Sequence, residues 1–329
     1  MAVALGIDTS CYTTSVAAAD EQGAIVAFSR MLLPVPSGQR GLRQSEAVFA
    51  HMRQMPQVAA EALDAIDALH ADICSIAASS RPCDEKDSYM PVFSVGLGYA
   101  QTLARALRVP CYETTHQRGH IAAGLIGQPP IGERFLALHL SGGTTDLLAY
   151  RPEGLEKLGG SLDLHAGQLV DRVGVALGLA FPAGPALEAL ALRCGEPPRA
   201  LLPASLERGD LYCHLSGAEA QCMRLIEAGD CSREQLALEV FDLLSRTVAR
   251  MLHAGALATG DTKALVIGGV SSSALLRQML ARRVSRQRAK LELRFGEAAY
   301  SSDNAAGVAR IAMEQWIIHQ GGSVCQPFC

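Results

Sequence analysis

His116 and His120 stand four positions apart in His116-Gln117-Arg118-Gly119-His120. On a helix that spacing puts both imidazoles on one face, about one turn apart. Two such rings can reach one cation, and imidazole nitrogen suits Zn or Fe. A pair rarely holds a metal alone, so a third ligand is expected from elsewhere, with Asp303 in Ser301-Ser302-Asp303-Asn304 as the candidate. The same spacing also suits two ordinary helical histidines beside a turn. The glycine-rich turns on either side of the pair favour the metal.

Three of those turns have residue types that could hold a phosphorylated ligand. Val3 to Ile7 reads as a buried strand that ends at Asp8, followed by the hydroxyl-rich Thr9-Ser10-Cys11-Tyr12-Thr13-Thr14. Such a turn can cradle a phosphate, and Asp8 could orient a metal-bound water. Thr and Ser are equally common turn formers. The pattern recurs in Phe135 to Leu140, Ser141-Gly142-Gly143-Thr144-Thr145 and Asp146 to Tyr150. A strand ending in Gly268-Gly269, then Ser271-Ser272-Ser273 at a helix start, offers a place for a nucleotide's base, ribose or phosphate. Asp171 reads either as a surface partner of Arg172 or as an acceptor of ribose hydroxyls. Gly184, in a Pro-rich turn, could let a ligand approach the backbone closely.

The elements that would carry these residues alternate strand and helix, so the class is α/β. A helix from Val48 to Leu69 turns Val48, Met52, Met55, Val58, Ala59, Ala62 and Ile66 to one face, with a kink or a break expected at Pro56. A strand spans 73–79, and the charged stretch Arg81 to Ser88 is too polar for a core. A helix over 93–107 and a short strand at 110–113 deliver the chain to His116. Gln128-Pro129-Pro130 marks a hinge. Beyond the second turn follow a helix over 166–177, an irregular 197–217, a long helix over 234–258 and strands at 264–270 and 291–295. A terminal helix from Asp303 to about His319 has Asp303 at or near its N-cap. Strand, polar turn and strand, repeated about one small domain apart, make an internal duplication. The expected organisation is a lobe over 1–130 and a lobe over 131–329, with the helix over 303–320 at the cleft between them.

At 329 residues, 49% of them apolar, the chain can bury a sizeable core. A net charge of −4 argues against binding nucleic acid through charge alone, yet leaves transient tRNA contact open. Arg282, Arg283, Arg286, Arg288 and Lys290 form a basic run that reads as a solvated helix end or as a phosphate contact. Ten cysteines without a Cys-x-x-Cys pair, and no signal-like or membrane-length apolar run, lead us to expect free thiols and a cytoplasmic protein.

Six stretches, in order, resemble the universal threonylcarbamoyl-adenosine synthase family of tRNA modification, whose members once carried the name O-sialoglycoprotein endopeptidase. They are Gly6 to Cys11, His116 to His120, Ser141 to Thr144, Ser161 to Pro185, Gly268 to Ser271, and Ser302 to Asn304. The resemblance implies a duplicated actin-like ATPase (ribonuclease H-like) fold, with two lobes around a nucleotide and metal cleft. It implies one divalent metal, Fe or Zn, on His116, His120 and Asp303. It also implies an ATP-type nucleotide or acyl-adenylate at Asp8, Thr9, Ser10, Leu140, Ser141, Gly142, Gly143, Thr144, Asp171, Gly184, Gly268, Gly269 and Ser273. The implied activity moves a threonylcarbamoyl group from its adenylate to N6 of adenosine 37 of tRNA, with helper subunits as partners. Four positions depart from the family pattern. Tyr12 and Thr13 replace two acids, residues 81–88 replace a Gly-Pro-Gly loop, Thr144 replaces a histidine and Ser273 replaces an asparagine. These departures leave room for a paralogue with another acceptor, or for a nucleotide-binding partner without transfer activity.

Overall fold

The computed structural model describes residues 1–10, 12–34, 42–288, 290–300 and 304–322. In chain order the elements are β1 (Ala2–Asp8), β2 (Thr13–Asp20), β3 (Ile25–Leu32), α1 (Gln44–Ala68), β4 (Asp72–Arg81), α2 (Phe93–Leu107), β5 (Cys111–Thr115) and α3 (His116–Gly124). They continue as β6 (Phe135–Leu140), β7 (Thr145–Arg151), β8 (Gly154–Ser161), α4 (Ala166–Ala176), α5 (Gly184–Ala191), β9 (Ser205–Glu207), β10 (Tyr212–His214), α6 (Ser216–Ala228) and α7 (Arg233–Thr259). The last are β11 (Lys263–Ile267), α8 (Ala274–Val284), β12 (Glu292–Phe295) and α9 (Ala305–His319). The chain forms two compact units, Met1–Glu133 with Ala299–Cys329, and Arg134–Ala298.

The first unit is built on a sheet of order β3-β2-β1-β4-β5. The pairs β1–β2 and β2–β3 are antiparallel; β1–β4 and β4–β5 are parallel. Side chains alternate along a strand, and here the alternation sorts by size. Val3, Leu5 and Ile7 share one apolar cluster with α1 and α2 residues such as Met55, Ile66 and Ala104. Ala4, Ala17, Ala19 and Ala77 face α9 instead. Small residues on that side let the helix lie directly on the sheet. A methyl group on Gly6 would come within 2.1 Å of the Ala309 amide nitrogen. The terminal helix is thus part of this unit's core.

The second unit repeats the plan. Its sheet runs β12-β11-β6-β7-β8-β10-β9, and its first five strands have the same connectivity and directions as the first sheet. The short strands β9 and β10 extend it where sequence suggested only irregular chain; β10 pairs parallel to β8 through Tyr212 and Cys213. The core lies between this sheet and α4, α5, α7 and α8, with α7 buried along most of its length. The carboxylates within α7 are compensated: Glu239 accepts from the Leu201 amide and Gln235, and Asp242 pairs with Arg246 and Arg283.

Of the kink or break expected at Pro56 the break does not occur, and Met52, expected on the apolar face, is exposed. α1 is one helix through Pro56. The proline faces solvent, where water can satisfy the carbonyl it leaves unbonded, and the apolar stripe on the other face holds both halves. That stripe carries His51 with Ala47, Met55, Val58, Ala62 and Ile66, while Met52 is exposed.

Candidate functional site

Parity along β1 decides which side each residue of its end faces. Asp8 falls on the face of Ala4 and Gly6, toward α3 and α9, and is buried. Thr9 falls on the other face, and its hydroxyl is engaged there. It donates to the Val92 carbonyl at 2.9 Å and accepts from the Gly96 amide at 3.0 Å. Ser10 turns back and donates its hydroxyl to Asp8 Oδ2. Cys11 lies outside the described residues.

α3 starts directly on leaving β5. Thr115 caps it by accepting from the Arg118 amide at 3.2 Å, so His116 is its first residue and His120 sits one turn on. The two rings are neighbours, with centroids 4.6 Å apart, and Phe93 meets the His116 ring edge-on. His116 Nδ1 lies 3.4 Å from Asp8 Oδ1 and close against Asn304 Nδ2, which also donates to the His116 carbonyl at 2.9 Å. Asp8 can only accept from Nδ1 and the Asn304 amide nitrogen can only donate to it, so one tautomer meets one of the two contacts; both lie at Nδ1 and leave Nε2 on the other side of the ring. Burial works against the charge of Asp8. The His116 ring, with hydrogen bonds from His116 and Ser10, outweighs it and holds the carboxyl below the usual carboxylate range.

Asn304 reaches His116 because α9 crosses α3 at two glycines. A methyl group on Gly307 would lie 1.9 Å from the Gly119 carbonyl oxygen, and one on Gly119 would press on Val308 and Asn304. Gly119 sits between the histidines, so Asn304 covers the helix face that bears both rings. Its Oδ1 is buried without a hydrogen-bond partner.

α9 has Asn304 at its N-cap. Asp303, expected at or near that cap, lies outside the described residues. Among the described residues no group of three His, Cys, Asp or Glu side chains could hold a metal ion. The histidine pair nevertheless fits a divalent cation of the Zn or Fe kind. It offers two adjacent nitrogen donors on one helix face, a carboxylate behind the first ring, and an unsatisfied amide oxygen beside them.

The second unit assembles the other residues. The Ser141 amide donates to the Thr144 carbonyl at 2.8 Å, closing a tight turn between β6 and β7. The start of α4 docks on this turn. The Gly167 amide donates to Ser141, the Ala166 amide donates to Thr145 Oγ1, and a methyl group on Gly167 would collide with the Gly142 backbone. Side chains at Gly142 or Gly143 would meet nothing within 4 Å. Gly268 closes the other flank. Its φ is +96°, and a methyl group there would lie 2.3 Å from the Leu140 carbonyl oxygen, so only glycine fits. Gly269 lies beyond it in the open, in a short 3-10 turn over Gly269–Ser272 that leads to α8. Ser273 caps α8 by accepting from the Leu276 amide.

Asp171 is not paired with Arg172, which binds Glu219. Its Oδ1 accepts from the Ala183 amide at 2.8 Å, which brings it to the residue before Gly184. Burial raises its carboxyl above the usual range, opposed by that hydrogen bond. A methyl group on Gly184 would make only an ordinary contact with Val170 at 3.8 Å, so the fold alone does not require glycine there.

Sequence reasoning missed three participants. Asn304 is visible only as part of a motif, His51 carries no signal of its own in the sequence, and Asp84 lies in a charged loop. Asp84 accepts from Thr115 Oγ1 and from the Arg118 guanidinium.

A family model described as tRNA N6-adenosine threonylcarbamoyltransferase matches residues 36–310. A protein of that name from Aromatoleum aromaticum is 31% identical over 312 residues, spanning 93% of this chain and 89% of its own. One from Methylobacillus flagellatus is 29% identical over 313 residues, spanning 93% and 90%. Among solved structures, component A of the (R)-2-hydroxyglutaryl-CoA dehydratase of Acidaminococcus fermentans superposes with a TM-score of 0.55 at 14% identity, covering 96% of this chain and 99% of that one. A ROK family glucokinase from Streptomyces griseus, in complex with glucose and AMPPNP, gives 0.54 at 13% identity, covering 95% and 99%. At such identities the likeness concerns the fold, which is the duplicated actin-like α/β fold.

Proposed function

Because this chain belongs to the tRNA N6-adenosine threonylcarbamoyltransferase family, we propose that it moves a threonylcarbamoyl group from an acyl-adenylate to N6 of adenosine 37 of tRNA, with a divalent cation held by His116, His120 and Asp303. The observation that carries the cation part is the His116–His120 pair, half-buried at His116 and buried at His120, with Asp8 and Asn304 on the first ring. Asp303 is covalently next to Asn304, whose amide bonds the His116 carbonyl.

When bound, the cation supplies Lewis-acid polarisation of the carbamoyl carbonyl. His116 and His120 would hold it by their ring nitrogens, while Asp8, against Nδ1 of His116, would keep the proton there and orient the ring. The amides of Gly142, Gly143 and Thr144 receive the adenylate's anionic oxygens or the developing oxyanion, at a turn whose space is open. Asp171 accepts a ribose hydroxyl beside Gly184, and Gly268 to Ser273 border the base. Thr9 takes part through its backbone, because its side chain is engaged elsewhere. Among the described residues no helix is long and apolar enough to cross a membrane. With free thiols at the described cysteines, this suits our proposed setting, the cytoplasm, where tRNA and helper subunits would meet the chain.

A second reading, the same transfer to another acceptor, is favoured by one observation. Tyr12, 43% exposed, and Thr13 stand at the end of the first turn, where the family pattern has two acids. A nucleoside digest of tRNA from cells lacking the chain separates the two readings. Loss of threonylcarbamoyl-adenosine is expected, and an unchanged level would remove tRNA as the acceptor.

A further inference from the structure

The loop between β4 and α2 is bound to the turn that carries the histidines. The Gln117 amide donates to the Pro82 carbonyl at 3.0 Å. Asp84 Oδ1 accepts from Thr115 Oγ1 at 3.0 Å, and Thr115 Oγ1 in turn caps α3 through the Arg118 amide. Arg118 then closes a fork on the same carboxylate, with Nε 2.9 Å and the terminal nitrogen 2.8 Å from Oδ2. The two side chains of this pair are each only 20% exposed. His116 is therefore flanked by Thr115 and Gln117, both tied to the loop, while Asn304 holds its own carbonyl from another side.

We propose that Asp84 is a positioning residue: with Arg118 and Thr115 it fixes the first turn of α3, so that the rings of His116 and His120 are set for one cation. The proposal rests on the reading of that histidine pair given above. A planar guanidinium on a carboxylate is specific in direction as well as charge, so the pair sets the rotation of the turn as well as its position. Groups that orient metal ligands in this way typically change metal affinity ~10–100-fold when removed.

The charges of the pair supply a test that separates position from field. Zn²⁺ alone is titrated by calorimetry into the full chain and into Asp84→Asn, Asp84→Glu, Arg118→Met, the Asp84→Asn/Arg118→Met double variant, Arg118→Lys and His116→Ala, each checked for an unchanged melting temperature. If the pair positions the rings, both single variants lose about tenfold in affinity, the double variant loses no more than either, and Asp84→Glu restores part of the loss. A pure field effect gives opposite signs, weaker binding without Asp84 and tighter binding without Arg118, and would overturn the proposal. Arg118→Lys keeps the charge and removes the fork. It is the milder variant should a single substitution fail to fold, and wild-type affinity in it would also overturn the proposal. If His116→Ala abolishes binding while Asp84→Asn and Arg118→Met leave it unchanged, the clamp fails and the ligand reading stands. If the unaltered chain and His116→Ala bind alike, the ligand reading itself fails.

Discussion

The proton on His51 can be placed by following its neighbours. Gln54 Nε2 donates to the Leu32 carbonyl at 2.9 Å, which turns Gln54 Oε1 toward Thr14. The Thr14 hydroxyl spends its one hydrogen on that oxygen, so it accepts from His51 Nδ1 at 2.8 Å. His51 is then neutral, with a bare and buried Nε2. Burial pushes its pKa down to about 4, against the pull of the Asp8 carboxylate. An unfolded chain would take up a proton near pH 6.5 that the folded one refuses. Stability from this residue is therefore complete above that pH and falls as pH drops from about 6.5 to about 4, by at most ~3 kcal/mol. His51→Asn keeps a group near Nδ1 for Thr14 and removes the titration. Denaturant unfolding at pH 7 and pH 4.5 should show a smaller difference for the variant than for the parent chain. Equal differences would mean that another group carries the acid sensitivity. The histidines of α3 allow a separate prediction at the same scale. His116→Ala with His120→Ala should abolish metal content measured by mass spectrometry, and unchanged content would move the ligands elsewhere.

Two helices decide whether those side chains meet. α3 and α9 approach so closely that Gly307 lies against the Gly119 carbonyl. Gly307→Ala gains roughly 1 kcal/mol of helix propensity, but the added methyl group meets backbone rather than a side chain that could turn away. Separating the helices costs ~1–3 kcal/mol of packing and draws Asn304 off His116, so the clash wins. We expect a lower melting temperature and weaker Zn²⁺ binding from this one methyl group, while the same change at Gly98 in α2, where a methyl group meets nothing within 4 Å, should raise the melting temperature slightly and leave Zn²⁺ binding unchanged. Part of this arrangement is legible in the sequence. The alternation of Val3, Leu5 and Ile7 with Ala4 and Gly6 already announces a large and a small face, and Asp8 follows by parity on the small one. The glycine between the histidines is visible too, but nothing local says that a helix from the far end of the chain lies on it. His51, Asp84 and Asn304 depend on partners 37, 34 and 188 positions away, so their roles are invisible to any local pattern. Hydropathy ranks thioether above imidazole and so favours Met52 over its neighbour His51 as a core residue, whereas the fold buries His51 against Thr14 and turns Met52 to solvent.

The duplication is the feature that local signals predict best. Two strand-turn-strand patterns foretell two sheets with the same five-strand plan, since the pattern itself is local. What they do not foretell is that the first unit is made from two separate stretches, Met1–Glu133 and Ala299–Cys329, with Arg134–Ala298 inserted between them. That discontinuity has a consequence for how the chain can be cut. Without the last stretch, the Ala4, Ala17, Ala19 and Ala77 side of the first sheet loses the helix that covers it. Small side chains bury too little area to hold that sheet by themselves. A fragment of residues 134–298 keeps its whole sheet and the helices that pack on it, and should unfold cooperatively. A fragment of residues 1–133 should give no cooperative melting transition and should expose apolar surface to a dye such as ANS. Joining residues 299–329 to it through a flexible linker long enough to replace the insertion should restore both the transition and Zn²⁺ binding. A sharp transition in the 1–133 fragment alone would show that the terminal helix is an accessory to this unit and not part of its core.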